Sequence, residues 1–334
     1  METEKTIRWG ILGCGKIARK FAADIKFVKN AELVALGARE QSTADAFAKN
    51  FPVKHKHNSY QSLVENPEVD AIYVATPHAF HHEHTLLCLS QNKAVLCEKA
   101  FAMNYRQAKE MIDFAQKKKV FLMEAFWTKF LPHYQLMKKM ITEGKIGKVQ
   151  SVIANFGFIP THPVAPRLFD PKLGGGSLLD IGVYPIFHAL DILGRPDEID
   201  AVIIPTDQGV DSQCAVQFYY RNGALAQLFS TLTSNLSTGA DIAGDHGRIR
   251  LTHRFHGPTT NLEYYPDTVD SCQRISFEKA SGNGYEYEAQ HVTDCLLNGL
   301  TESPVMKHAD TLLLMETVDR IRAKAGLHYP ADNH

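Results

Sequence analysis

Short apolar runs alternate with amphipathic stretches along the first part of the chain. Ile7–Leu12 predicts a strand, and Lys16 to Lys26 carries a helical pattern. Glu32–Ala38 reads as a second strand and Thr43–Lys49 as a helix, with Ser42 as a candidate cap. Ala71–Ala75 is uniformly apolar, as in a strand buried on both faces. The helix His82–Gln91, strand Ala94–Cys97, helix Tyr105–Lys117 and strand Val120–Met123 follow. Strands separated by helices predict a parallel, doubly wound sheet.

Near Glu124 the pattern changes. One helix, Leu131–Glu143, has Pro132 in its first turn, where the missing N–H costs nothing. Longer alternating strands then appear: Val149–Phe158, Val210–Tyr220, Ala224–Thr233 and Arg248–His253. Short turns between them predict an open, largely antiparallel sheet. Helices Tyr285–Leu297 and Ala309–Ala325 end the chain. The expected division is residues 1–126 and an α+β domain at 127–334, with the last helix able to pack back on the first domain. Pro160–Gly176 is a long loop, a kind that is often functional.

Composition narrows the classes. The 334 residues allow two domains, and 44% apolar with 22% charged residues is ordinary for a soluble protein. A net charge of -1 gives no electrostatic reason to expect nucleic acid or an anionic membrane as partner. The apolar runs read as strand-length and the N-terminus is polar, so neither a membrane span nor a signal peptide is expected. Six scattered cysteines suit reduced thiols in a cytoplasm.

The first strand runs into Gly13-Cys14-Gly15-Lys16-Ile17-Ala18, the G-x-G-x-x-G/A pattern of a dinucleotide site. Gly13 permits the tight reversal, Gly15 leaves room for a pyrophosphate, and Ala18 lets the helix approach the sheet. The backbone of Lys16 and Ile17 opens the helix, whose N-terminus favours phosphate. The second strand ends Leu36-Gly37-Ala38-Arg39-Glu40, with no carboxylate at its tip. A guanidinium clamps a 2′-phosphate that a carboxylate would repel, so Arg39 predicts NADP over NAD. Glu40 facing the ribose instead would reverse that preference.

Three further segments carry chemistry. Thr76-Pro77 and His81 follow one strand, and Glu98-Lys99-Ala100 ends another. Gly174-Gly175-Gly176-Ser177-Leu178-Leu179-Asp180-Ile181-Gly182-Val183-Tyr184 leads into a helix. With the glycine turn, Gly282-Asn283-Gly284-Tyr285 and the ending Gly326-Leu327-His328-Tyr329-Pro330, the chain resembles the glucose-fructose oxidoreductase / inositol dehydrogenase / MocA family over almost its whole length. Met123-Glu124-Ala125-Phe126-Trp127 and Tyr184 look most like its dimeric dihydrodiol dehydrogenase / NADP-dependent D-xylose dehydrogenase branch. The family's usual E-K-P triplet reads Glu98-Lys99-Ala100 here, and Tyr184 stands where many members carry histidine.

The resemblance implies a Rossmann-type domain that binds NADP through Gly13, Gly15, Lys16, Ile17, Arg39, Thr76, Pro77, His81, Glu98 and Lys99. It implies hydride transfer at a hydroxyl-bearing carbon of a sugar, polyol or cyclic trans-diol, with Tyr184 as acid/base and Lys99 favouring its phenolate. Asp180, four residues before Tyr184, is placed to bind a substrate hydroxyl or to hold Lys99. Trp127 and one of Phe156 or Phe158, with Phe158 preferred, are candidate walls of the substrate pocket. His78, His81, His82 and His84 invite a metal reading, but no nearby acid or cysteine completes a site except Glu83, which points to another helix face, so no metal is expected. The same residues serve a sugar-ketone reductase consuming NADPH. A non-catalytic NADP sensor is the competing class, and it leaves Lys99 and Tyr184 without purpose. The broad second sheet leaves a face for pairing, so a homodimer or higher homo-oligomer is expected.

Overall fold

A computed structural model describes residues 5–266 and 271–333. The elements β1 (Ile7–Leu12), α1 (Lys16–Asp24), β2 (Ala31–Gly37), α2 (Gln41–Ala48), β3 (His55–His57), α3 (Tyr60–Val64) and β4 (Ala71–Val74) come first. Next are α4 (His81–Ser90), β5 (Ala94–Glu98), α5 (Tyr105–Lys118) and β6 (Leu122–Ala125). Then come α6 (Pro132–Thr142), β7 (Val149–Gly157), α7 (Val183–Leu193), β8 (Glu198–Pro205), β9 (Asp211–Tyr219) and β10 (Leu225–Thr231). The chain continues through β11 (Ala240–Gly244), β12 (Gly247–Leu251), β13 (Leu262–Pro266), β14 (Gln273–Ile275), α8 (Tyr285–Leu297) and α9 (His308–Ala325).

The chain forms two compact units, residues 1–130 with 280–312, and residues 131–279 with 313–334. This differs from a single cut after residue 126: the segment holding α8 folds with the first unit. Its anchor is Asp24, a buried carboxylate at the end of α1 that accepts from the backbone N–H groups of Asn283 and Tyr285. Such long-range side-chain bonds leave no periodic trace in sequence.

The first unit is the predicted parallel sheet, ordered β3-β2-β1-β4-β5-β6. β4 and β5 are buried throughout, which explains their unbroken apolar runs. The strand order reverses between β1 and β4, opening a crevice at their carboxyl ends. α5 begins where Asn104 accepts from Gln107 N at 3.0 Å and ends on left-handed Lys119. Ser42 lies inside α2 rather than capping it; Glu40 holds the cap position.

The second unit is built on an eight-stranded sheet, β14-β13-β12-β11-β7-β10-β9-β8, antiparallel except between β7 and β10. β9 alternates buried and accessible residues as its pattern predicts. Among the described residues one stretch, Pro171–Leu193, is long and apolar enough to cross a membrane, which exceeds the strand-length runs expected. Its most apolar window is 83% buried inside the protein, as for a core helix. All six cysteines are free thiols.

Candidate active site

The glycine turn leaves β1 at the crevice. Gly13 has φ +99°, and a Cβ there would stand 3.0 Å from Thr76 Cγ2. Its N–H donates to Gly37 O at 3.0 Å, tying the turn to the end of β2. A Cβ on Gly15 would meet nothing closer than Ala75 O at 3.9 Å, so this side of the turn is open. Ala18 is fully buried, and α1 starts at Gly15 with no side-chain cap. Its first N–H groups therefore keep their hydrogen-bonding capacity for an anion. A cleft of about 420 Å³ runs from Gly13 and Gly15 past Arg39, Glu40 and Tyr60 to Thr76 and Pro77. This geometry fits a dinucleotide: a small-residue cradle and a helix N-terminus, with a cation at the strand tip. Lys16 and Ile17 contribute helix-start backbone and do not line the cleft. Arg39 and Glu40 are both exposed at its rim.

Tyr60, which was not read from sequence, lines this cleft. Tyr60 meets His84 edge-on with centroids 4.7 Å apart, and His84 Nδ1 lies 3.0 Å from Thr76 Oγ1. Burial, then the Arg39 charge, lowers the His84 pKa to about 4, so its imidazole is neutral near pH 7. His81 is wholly buried. Its ring nitrogens face Thr76 O and Ala100 O, each at 2.8 Å. It therefore ties the Thr76-Pro77 loop to the Lys99-Ala100 loop from behind. His82 pairs with Glu110 at 2.8 Å. Among the described residues no three His, Cys, Asp or Glu side chains are grouped to hold a metal ion.

Lys99 follows β5 and is half-buried. Glu98 is buried behind it: Tyr73 donates its hydroxyl to Glu98 Oε1, and Lys99 N donates to Oε2 at 3.2 Å. The peptide from Lys99 to Ala100 is cis. Trp127 stacks on Tyr285 with centroids 4.6 Å apart, at 12° between planes. It is buried in the first unit.

Asp180 and Tyr184 lie in the second unit. The segment Leu178–Gly182 is a wide π-type turn, and α7 begins only at Val183, with Pro185 in its first turn. The spacing between Asp180 and Tyr184 therefore spans two helix types, which weakens the one-face reading. Both are buried. Asp180 Oδ1 accepts from Arg167 at 2.9 Å, a partner supplied by the long loop. Phe156 and His256 flank Tyr184, with centroids 5.7 and 4.8 Å from its ring, and stack on each other at 4.2 Å. The Phe158 ring centroid lies 6.2 Å from that of Phe156.

Residues 7–126 match the family model described as an oxidoreductase family with an NAD-binding Rossmann fold, and residues 134–250 match the family's C-terminal domain. The chain belongs to the Gfo/Idh/MocA oxidoreductase family. It is 35% identical to a trans-1,2-dihydrobenzene-1,2-diol dehydrogenase of Xenopus tropicalis, over 97% of this chain and 99% of the relative. It is 34% identical to the enzyme of that name from Mus musculus, over 98% and 99%. A 3-ketoreductase from Actinomadura kijaniata, solved with NADP and TDP-benzene, superposes with a TM-score of 0.86 at 27% identity, over 96% of this chain and 98% of that one. Membership makes this Gfo/Idh/MocA protein an NAD(P)-dependent oxidoreductase acting on CH–OH groups.

Within that family fold, the sequence-predicted Gly13, Gly15, Arg39, Thr76 and Pro77 share one cleft, and Asp180 and Tyr184 share one turn-and-helix segment. Tyr60, Arg167 and His256 escaped the sequence reading. Each reaches its neighbours through contacts between distant segments, which no local spacing encodes.

Proposed function

We propose that this protein is an NADP-dependent dehydrogenase acting on a sugar, polyol or cyclic trans-diol. The observation that carries it is Tyr184, a buried phenol walled by Phe156 and His256 and preceded by the Arg167-paired Asp180. When bound, the nicotinamide supplies the hydride acceptor or donor. Tyr184 supplies the proton step: its oxygen takes the hydroxyl proton as the carbon becomes a carbonyl, and returns it in the reverse reaction. A free phenol has a pKa of about 10, and a nearby ammonium would favour its phenolate, the part the family resemblance gives Lys99. Asp180 orients a substrate hydroxyl. Gly13, Gly15, the start of α1 and Arg39 hold the dinucleotide, with Arg39 on the 2′-phosphate. Glu98 and His81 hold the loops that present Lys99 and Thr76.

The dihydrodiol dehydrogenases support a cyclic diol, and the 3-ketoreductase supports ketone reduction, the NADPH-consuming direction. Free thiols support a cytoplasmic location. Exposed Ile153, Val202, Ile204 and Leu225 on the second sheet support a homodimer or higher homo-oligomer through that face. Nothing in the net charge of -1 favours nucleic acid or an anionic membrane surface as partner.

Aldoses, polyols and trans-dihydrodiols assayed with NADP and NAD in parallel test this reading. Turnover with NADP is expected. NADPH binding without turnover across the panel would overturn it in favour of a sensor.

A further inference from the structure

The hydride chemistry leaves two sequence motifs without a role, the Gly174–Ser177 run and the chain end at Tyr329. The second unit brings them together around Asp211. This residue opens β9 and is fully buried. Its Oδ2 accepts from Ser177 Oγ at 2.6 Å and from Leu178 N at 2.8 Å. Ser177 and Leu178 begin the wide turn that carries Asp180. From the other side, Tyr329 donates its hydroxyl to Gly175 O at 2.6 Å. Tyr329 is buried in turn, with the Arg322 guanidinium 4.8 Å from its ring centroid.

The approach is too close for any other residue between these contacts. Gly176 has φ +108°, and a Cβ there would fall 2.3 Å from Asp211 Oδ1. The far end of the turn is seated on β10: a Cβ on Gly182 would stand 2.9 Å from Ser230 Oγ, which itself lies 3.0 Å from Ser177 Oγ. A π-type turn is a rare and irregular piece of helix, so its geometry needs such outside support.

We propose that Asp211 and Tyr329 are positioning residues: a two-point clamp on the glycine run that sets where Asp180 and Tyr184 stand, without contact to substrate. This rests on Tyr184 acting as the acid/base group. Small misplacement of such a group is costly, because proton transfer needs hydrogen-bond geometry. The clamp is also sensitive to acid. Burial pushes the Asp211 pKa up to about 6, against the lowering effect of its bonds to Ser177 and Leu178. The other titratable groups that face it are Tyr329 from the chain end and Cys214 on its own strand. Protonation removes the negative charge that strengthens the bonds from Ser177 and Leu178 to Oδ2, and so loosens the hold on them.

The test compares Asp211→Asn, Tyr329→Phe and Ser177→Ala with wild type and Tyr184→Phe. The readouts are kcat against pH, KM, NADPH affinity by fluorescence titration, and circular dichroism. The clamp predicts a loss of about 10- to 100-fold in kcat for Asp211→Asn and Tyr329→Phe. It predicts a smaller loss for Ser177→Ala, and unchanged NADPH affinity in all three. It predicts an acid limb near pH 6 in the wild-type profile that Asp211→Asn lacks. Folded clamp variants with wild-type kcat and pH profile, beside a disabled Tyr184→Phe, overturn the clamp alone. So does a parallel loss of NADPH affinity, which marks general damage. If Asp211→Asn fails to fold, Tyr329→Phe and Ser177→Ala decide. Wild-type activity in Tyr184→Phe overturns the acid/base reading itself.

Discussion

Tyr73 and Glu98 are joined by a buried hydrogen bond from phenol to carboxylate, between neighbouring strands of the parallel sheet. The Tyr73 ring lies on Phe21 of α1, with centroids 3.9 Å apart and 12° between planes. The second oxygen of Glu98 takes the Lys99 N–H. These two side chains together connect the helix that begins at the glycine turn with the loop that presents Lys99.

Tyr73→Phe keeps the ring and removes the donor, leaving a buried carboxylate short of a partner. The expected cost is about 1–3 kcal/mol of stability, together with a lower kcat from a less well-held Lys99. Urea unfolding and steady-state kinetics check both. An unchanged midpoint would show that the bond contributes nothing net.

Arg39→Ala separates the two dinucleotides. If the guanidinium holds the 2′-phosphate, NADP affinity falls about tenfold or more, the scale of a lost charge-assisted bond, while NAD affinity barely moves. Calorimetric titration of both cofactors measures the split. Equal losses would leave Arg39 as a rim charge and turn attention to Glu40.

Glu124 on β6 carries a pH signature. Burial pushes its pKa up to about 8, against about 4.3 in an unfolded chain. Between those values the folded state binds the extra proton, so stability falls as pH rises through the interval. Glu124→Gln removes that slope. Its melting temperature should exceed that of wild type by a few degrees at pH 9 and lose the advantage near pH 4, as thermal scans across pH would reveal. Parallel curves for the two proteins would contradict the assignment.

The open sheet face is tested by Val202→Asp. Val202 is 66% exposed on β8, beside Ile204. A charge there should shift a homo-oligomer toward monomer in sedimentation velocity and leave NADPH binding intact. An unaltered sedimentation coefficient would place any interface elsewhere.

Much of the fold was legible because its signals are local. The buried strands β4 and β5 and the glycine turn are patterns of a few residues. The elements that escaped are short or half-exposed. β3 and β14 have three residues each, too few to show a period, and β8 leaves much of its apolar side uncovered. For the site, the candidates at the glycine turn and at Thr76-Pro77 share one cleft. Phe156, one of the two phenylalanines named as candidate walls, lies beside Tyr184, and Trp127 stacks on Tyr285.

By itself the sequence determined the two sheet types, the dinucleotide turn and the family, because backbone periodicity and fixed-spacing motifs are written in consecutive residues. Only the tertiary structure decided which side chains meet. Tyr73 reaches Glu98 across 25 residues, Ser177 reaches Asp211 across 34, and Gly175 reaches Tyr329 across 154. Such bonds form because burial strips water from polar groups and leaves each to find a partner in space, and distance along the chain does not limit that search.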